Sequence, residues 1–188
     1  MARVAAALIL AVAILGCDLS ATARFNSGGE SYLEAALGAD ELTKFGPLGG
    51  RSAWYDTLAN EPRSLHIQGY QRLDDRTCTL SLWIHDPQEG RTYDIGPRGG
   101  EAHAIYTSET FSENLLRSYS SSQPNAGTFV LSRFDTRRRI VEGAFQFVVR
   151  NNPQFTKDPA APESVQVLDG RFRLAYDVIG SFAGKASD

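Results

Sequence analysis

Cysteine is scarce in this chain of 188 residues, and that scarcity excludes a disulfide framework. The sequence contains two cysteines, Cys17 and Cys78. Exported domains that depend on disulfides usually carry several pairs of cysteines. A packed hydrophobic core must therefore hold this fold, and the length is sufficient for one domain with such a core.

An excess of charge of one sign is also absent. The chain carries 19 lysines and arginines against 22 aspartates and glutamates, which gives a formal net charge of −3. Proteins that bind nucleic acid usually present a strongly basic surface to the phosphate backbone. The composition therefore predicts no nucleic-acid partner.

Long hydrophobic runs are missing except at the start of the chain. Arg3 precedes an apolar run from Val4 to Gly16, and Cys17 follows at once. Thirteen residues form a helix of roughly 20 Å, whereas the hydrocarbon core of a bilayer is about 30 Å thick. The order of basic start, apolar middle and small residue is typical of a secretory signal. This segment is therefore predicted to target the protein rather than to span a membrane.

The end of that run, Ile14-Leu15-Gly16-Cys17, resembles the lipobox of bacterial lipoproteins. The resemblance implies a signal peptide over 1–16, cleavage before Cys17, and acyl chains such as palmitate on its thiol and new amino terminus. An ordinary cleaved signal and a short anchor are the alternatives. The protein is expected at the bacterial cell envelope, anchored by lipid to the inner or outer membrane. Residues 17–44 are then predicted to form the lipidated N-terminus, a tether and a short weak helix within 31–44.

Beyond residue 45 the signals are those of strands separated by turns. The sequence predicts an all-β domain over 45–178, an antiparallel β-sandwich or flattened barrel of about 7–9 strands, followed by a flexible tail over 179–188. Apart from the stretch around Trp54, the predicted strands lie at 64–72, 78–86, 90–95, 102–107, 115–120, within a hairpin over 128–150, and at 165–176.

The sequence also predicts the register of one hairpin and two local irregularities. Leu65 and Ile67 alternate with polar residues, as do Leu80 and Leu82, and pairing Ile67 with Leu82 keeps both apolar faces on one side. Gly143 within a strand indicates a bulge or a close backbone approach. The change of parity across 169–170 requires a bulge or a tight turn.

These motifs resemble those of a family of small exported lipoproteins, typical of Bacteroidota, whose β domain has no known function. The matching features are Phe45-Gly46, Gly50-Arg51, Trp54, Leu65, Ile67, Gly90, Tyr93, residues 127–135, Gly143-x-Phe145-x-Phe147 and Asp169-Gly170-Arg171-Phe172. The resemblance covers roughly residues 45–176. It implies a β domain on a lipid anchor and supplies no catalytic residues, because the matched residues determine turns and core.

Residues with catalytic or metal-binding chemistry are few. His66 and His85 fall on the outward face of the predicted hairpin near Asp86, but no HxH or HxxxH spacing supports a metal site. A Gly-x-Ser-x-Gly elbow is absent, and the alternation places Cys78 with core leucines. We therefore predict no catalytic residue, no metal and no cofactor.

An aromatic patch of Tyr70, Trp83 and His85 is the candidate binding site. Exposed aromatic rings on a sheet suit sugar or peptide binding, whereas buried rings would form a second core layer. Trp54 is predicted to lie in the core. The arginines at 137–139 are predicted to form a solvated hairpin tip, with contact to an anionic surface as the alternative.

The function expected from these features is that of a lipid-anchored binding or structural module of the cell envelope, without enzymatic activity. Its expected partners are the membrane, through the lipid, and a glycan, a peptide or an envelope protein. Two alternatives stay open: a hydrolase acting on envelope or extracellular polymers, and a lipocalin-like carrier with an apolar cavity.

Overall fold

The computed structural model describes residues 25–26, 30–37, 51–57, 63–72 and 75–179. These residues form an all-β structure without helices, which confirms the predicted fold class. Accordingly, the described part of the chain contains no helix that could span a bilayer. The predicted signal peptide, Cys17, most of the tether and the tail beyond residue 179 lie outside the described residues.

The described strands are β1 Phe25–Asn26, β2 Glu30–Leu37, β3 Arg51–Asp56, β4 Ser64–Arg72, β5 Arg76–His85, β6 Arg91–Ile95, β7 Ala102–Thr110, β8 Leu115–Ser120, β9 Gly127–Asp135, β10 Ile140–Asn151, β11 Ser164–Ala175 and β12 Asp177–Ile179. Their hydrogen-bonded order is β1-β2-β11-β10-β9-β6-β7-β5-β4-β3-β12, and β8 pairs with both β7 and β10.

The path divides into two sheets where β6 meets β7. These two strands share a single parallel pair, Ile95 with Ala102. We call β1-β2-β11-β10-β9-β6 the first sheet, and β8-β7-β5-β4-β3-β12 the second sheet. At the same side of the fold, β8 joins the second sheet to β10 through two residue pairs. The architecture is consistent with a sandwich or flattened barrel.

Side chains from both sheets fill one core. Tyr55 of the second sheet contacts Phe134 and Tyr176, with ring centroids 5.2 and 6.2 Å apart. Phe172 stacks on Phe129 at 5.4 Å, and both rings are fully buried. Aromatic rings thus occupy much of the space that a lipocalin-like carrier would need for its ligand.

The predicted register of the first hairpin is confirmed. Ile67 of β4 lies opposite Leu82 of β5, and both side chains are buried. Because side chains alternate across a strand, this register sends His66 and Trp83 to the opposite, outward face.

The predicted irregularities are also confirmed. The β9–β10 register shifts between Glu142 and Gly143, where an added Cβ would clash with the carbonyl oxygen of Val130. In β11 the register shifts near Gly170, so that the parity change is a bulge within one strand and not a turn. A Cβ at Gly170 would overlap the ring of Phe145, so this close approach requires glycine.

Three expectations are wrong. Residues 30–37 form strand β2 and not part of a helix, because Leu33, Ala35 and Leu37 are buried when this segment pairs with β11. The sheet therefore begins before residue 45. Twelve strands are described, more than the seven to nine expected, since β1, β2 and β12 were not predicted. The pairing is also not purely antiparallel, because β12 runs parallel to β3.

A proline-containing loop over 152–163 covers the free edge of β8. The amide of Asn152 donates to the carbonyl oxygen of Ser118, and that of Lys157 donates to Leu116. Asp158 is buried beneath the loop and accepts a hydrogen bond from Arg117 Nε at 2.6 Å. The loop thus satisfies backbone groups that an edge strand would otherwise expose.

Candidate functional site

Both tryptophans and all three histidines of the chain lie on the outward face of the second sheet. We call Trp54, His66, Trp83, His85 and His103 the Trp–His cluster. They come from β3, β4, β5 and β7, which are consecutive neighbours in the second sheet. Five residues of two rare types thus meet in one place.

Strand register aligns four of these residues in a row. Trp54 lies opposite His66, His66 opposite Trp83, and Trp83 opposite His103. Side chains directly opposite each other across a sheet are close enough to interact. Each of the four rings therefore has its neighbour fixed by backbone pairing.

Ring geometry confirms contact along the row. The Trp83 and His103 rings are stacked, with centroids 4.5 Å apart and planes within 2°. Trp54 stacks on His66 at 5.0 Å, and His66 meets Trp83 edge to face at 5.8 Å. His85 flanks the row, with its ring centroid 6.2 Å from that of His103.

The imidazoles are buried to different extents and share one feature. His103 is 8% exposed, whereas His66 and His85 are half-buried. The Nδ1 atoms of all three are buried and have no hydrogen-bond partner among the residues that the structure describes. His66 Nε2 lies 2.8 Å from Ser64 Oγ. We assign the neutral tautomer with its proton on Nε2, because it leaves only a lone pair at each buried Nδ1.

The surroundings disfavour protonation. Burial, with smaller contributions from the nearby His85, Arg98 and His66, lowers the pKa of His103 to about 4. The pKa of His66 is also lowered by burial, with His85 contributing, while Asp56 opposes the shift. His103 is therefore neutral at pH 7.

The arrangement does not suit a shared metal ion. Trp83 stands between His66 and His103 in the row, so these two imidazoles do not converge. Within the described ranges, no group of three or more histidine, cysteine, aspartate or glutamate side chains is placed to hold a metal.

Among the described residues, the outward positions beside the cluster along the middle of β4 and β5 are uncharged. Gln68, Tyr70, Thr79 and Ser81 occupy these positions, and we call these residues together with the Trp–His cluster the neutral face. Charged side chains at outward positions of β3, β4, β5 and β7 stand at or near strand ends: Asp56, Arg72 and Glu109.

The first sheet presents a contrasting outer face. Arg171 pairs with Glu34 at 3.2 Å, and Arg173 pairs with Glu142 at 3.0 Å. Such surface ion pairs contribute little to stability and are typical of a solvated surface. The two outer faces of this molecule therefore differ in chemistry.

Two of the three residues of the patch predicted from the sequence, Trp83 and His85, belong to the Trp–His cluster. Tyr70 lies on the same face but pairs with Thr79, at the other end of β4, and the structure gives it no ring contact with the cluster. Trp54 is not a core residue, because Ala53 and Tyr55 take the inward positions of β3. The sequence did not predict His103 as a site residue. Its position beside Trp83 follows from the pairing of β5 with β7, which the sequence pattern did not indicate.

Two other features fit a functional site less well than the Trp–His cluster does. A depression of 590 Å³ opens on the outer face of the first sheet at the β11 bulge, lined by residues such as Val130, Gln146 and Arg171. Cys78 is fully buried and accepts a hydrogen bond from the Tyr106 hydroxyl at 3.4 Å, as expected for a core thiol.

Comparisons of the chain with protein-family models, with curated protein sequences and with solved structures find no match. The lipoprotein family resembled by the sequence motifs therefore stays a prediction.

Proposed function

We propose that this protein is a lipid-anchored binding module of the bacterial cell envelope and that its neutral face binds uncharged carbohydrate. The observation that carries the proposal is the collection of every tryptophan and histidine of the chain on one outward, uncharged face. A hydrophobic core does not need this arrangement, because the inward faces of the same strands already supply one.

The chemistry of the neutral face matches that of a sugar. Indole, imidazole, amide and hydroxyl side chains each join an apolar body to an uncharged donor or acceptor. A sugar ring likewise combines apolar C–H surfaces with hydroxyl groups. An anionic ligand would instead call for lysine or arginine at the centre of the face, where outward positions such as Gln68 and Ser81 are uncharged.

A protein partner is the competing occupant of such a face. The centres of protein interfaces are enriched in aromatic residues and depleted of charge, as this face is. Nearly every side chain here also carries a hydrogen-bonding group, including Gln68, Thr79 and Ser81 beside the rings. That density of polar groups favours carbohydrate. The proposal assigns no catalytic residue and no cofactor.

A printed array of neutral and acidic oligosaccharides and of peptides tests the ligand class. We expect the protein to bind neutral oligosaccharides. Calorimetry with the best-binding one should show affinity about tenfold weaker for Trp54→Ala and Trp83→Phe, since aromatic residues often dominate binding energy. Phe155→Ala, an exposed aromatic in the 152–163 loop, is the matched control and should bind like the wild type. Binding to peptides or acidic glycans alone would contradict the carbohydrate assignment.

The anchor is tested separately. Metabolic labelling with a radioactive or clickable fatty acid should label the wild-type protein and fail to label Cys17→Ser. Cys78→Ser is the matched control, because Cys78 is fully buried and should not accept an acyl chain. Label that persists in Cys17→Ser would show that lipid is not attached at this cysteine.

A further inference from the structure

We infer that the Trp–His cluster is an acid-sensitive switch: the cluster is closed while its three imidazoles are neutral and opens when they take up protons. In the closed state the rings keep the contacts described above and form part of the neutral face. This switch regulates the proposed binding site. Only the release of a bound ligand in acid rests on the proposed function. The opening itself can be measured without any ligand.

The hydrogen bonds of the three imidazoles fit only their neutral form. Protonating a neutral imidazole gives it a second N–H group, so both ring nitrogens become donors. In all three histidines the added proton would lie on Nδ1, which is buried and has no acceptor. A buried donor without a partner is costly, and a charged one costs more. The closed cluster therefore cannot accept protons without rearranging.

The charges around the cluster also oppose protonation on balance. From β3, Asp56 favours a positive charge on His66, whereas His85 on β5 opposes it. On β7, His103 faces His85 and Arg98, which oppose its protonation as His66 does. Within the described part of the chain, one carboxylate thus stands against three imidazoles and one guanidinium.

Among the described residues, neither Glu101 nor Asp86 is one of the charges that shift the pKa of His66 or His103. Glu101 is paired with Arg91 at 2.5 Å. Arg72 and Glu109 stand at the far ends of β4 and β7. Arg63, just before β4, has the same sign as a protonated histidine.

The rings of the cluster are coupled by their contacts. Trp83 contacts both His66 and His103, and His103 contacts His85. Displacement of one charged ring therefore removes a neighbour from another. A protonated imidazole stacked on an indole gains some cation–π attraction in the closed cluster, but a buried charged donor without an acceptor costs more. Opening is consequently expected to be shared by the whole cluster.

Tryptophan fluorescence reports directly on this event, because both tryptophans of the chain belong to the cluster. For the full chain we expect the emission to change between about pH 6.5 and about pH 4, the ordinary and shifted pKa values of His103, while far-UV circular dichroism is unchanged. In His103→Phe, which keeps a stacking ring without a titratable proton, the change should be at least halved or move to lower pH. His85→Gln supplies a second variant if His103→Phe does not fold, and Tyr70→Phe is the control on the same face.

The outcomes separate the switch from the ligand assignment. Emission that stays constant down to about pH 4, or that changes equally in the wild type, His103→Phe and His85→Gln, would overturn the switch. If the emission changes as expected and a neutral oligosaccharide from the array dissociates over the same pH range, both hypotheses are supported. If the emission changes as expected while no oligosaccharide binds at pH 7.5, the switch stands and the carbohydrate assignment fails.

Discussion

At the scale of single residues, the contact between Gly170 and Phe145 shows how closely the core is fitted. The β11 bulge brings the backbone of Gly170 against the Phe145 ring, in space where a Cβ would overlap it. The sequence indicated an irregularity at 169–170 from the change of parity alone. It could not indicate the ring beneath it, because Phe145 lies on a different strand, β10, whose pairing with β11 shifts directly after Phe145.

Gly170→Ala is therefore expected to destabilise the protein by about 1–3 kcal/mol, the usual cost of overpacking a core. Chemical denaturation measures this change. Gly96→Ala is the matched control, because its Cβ would meet its nearest neighbour at 3.6 Å, an ordinary contact. Phe145→Leu should recover part of the loss when combined with Gly170→Ala, and strict additivity of the two changes would argue against the contact.

His103 gives the stability a predictable dependence on pH. Its pKa in the folded state, about 4, lies below the ordinary value of 6.5, so the unfolded chain binds the proton more readily. The associated stability is fully present above pH 6.5 and is lost as the pH falls towards 4. The loss is about 3 kcal/mol at most, from 1.36 kcal/mol for each pKa unit.

The measurement is the free energy of unfolding in urea at several pH values between 7.5 and 4. His103→Phe should show a shallower decline over this range than the wild type, because the group that takes up the proton is gone. Equal slopes for the two proteins would show that other groups cause the acid sensitivity.

At the scale of strands, the sequence predicted pairing within hairpins and failed for pairing between distant segments. The β4–β5 register followed from alternation and a short connection. The place of His103 beside Trp83 did not, since β5 pairs with β7 and skips β6. Strand β2 was missed because its Ala and Glu residues have helical preference, which tertiary pairing with β11 overrides.

The loop over 152–163 is held to β8 by backbone hydrogen bonds and by a partly buried ion pair. Arg117 donates to Asp158, whose pKa is lowered by that hydrogen bond and by the amide of Ala160. Asp158→Asn should therefore release the loop from β8. Amide hydrogen exchange at Lys157 and proteolytic cleavage within the loop should both become faster. Glu163→Gln, an exposed acid at the end of the same loop, should leave both rates unchanged, and a similar increase there would argue against the ion pair.

At the scale of the whole molecule, the two outer faces divide the surface by charge. The first sheet carries ion pairs such as Arg171–Glu34, and the second carries the neutral face. Binding through the neutral face should be insensitive to ionic strength, because screening acts on charges.

We expect the affinity for a neutral oligosaccharide to change less than about twofold between 0.05 and 0.5 M salt, over which the Debye length falls from roughly 14 to 4 Å. Calorimetry at both concentrations checks this. A steep loss of affinity with salt would indicate that charged residues, such as those of the first sheet, carry the recognition.

The pairing of β2 with β11 has a consequence for the order in which the fold can form. Strand β2 spans Glu30–Leu37, and its partner spans Ser164–Ala175. During synthesis the earliest long strand must therefore wait for β11, its long partner, until nearly the whole chain has been made. Pairing over such sequence distances slows folding. This delay would keep the chain loosely structured for longer, a property that suits a polypeptide that must pass through a narrow pore before it folds.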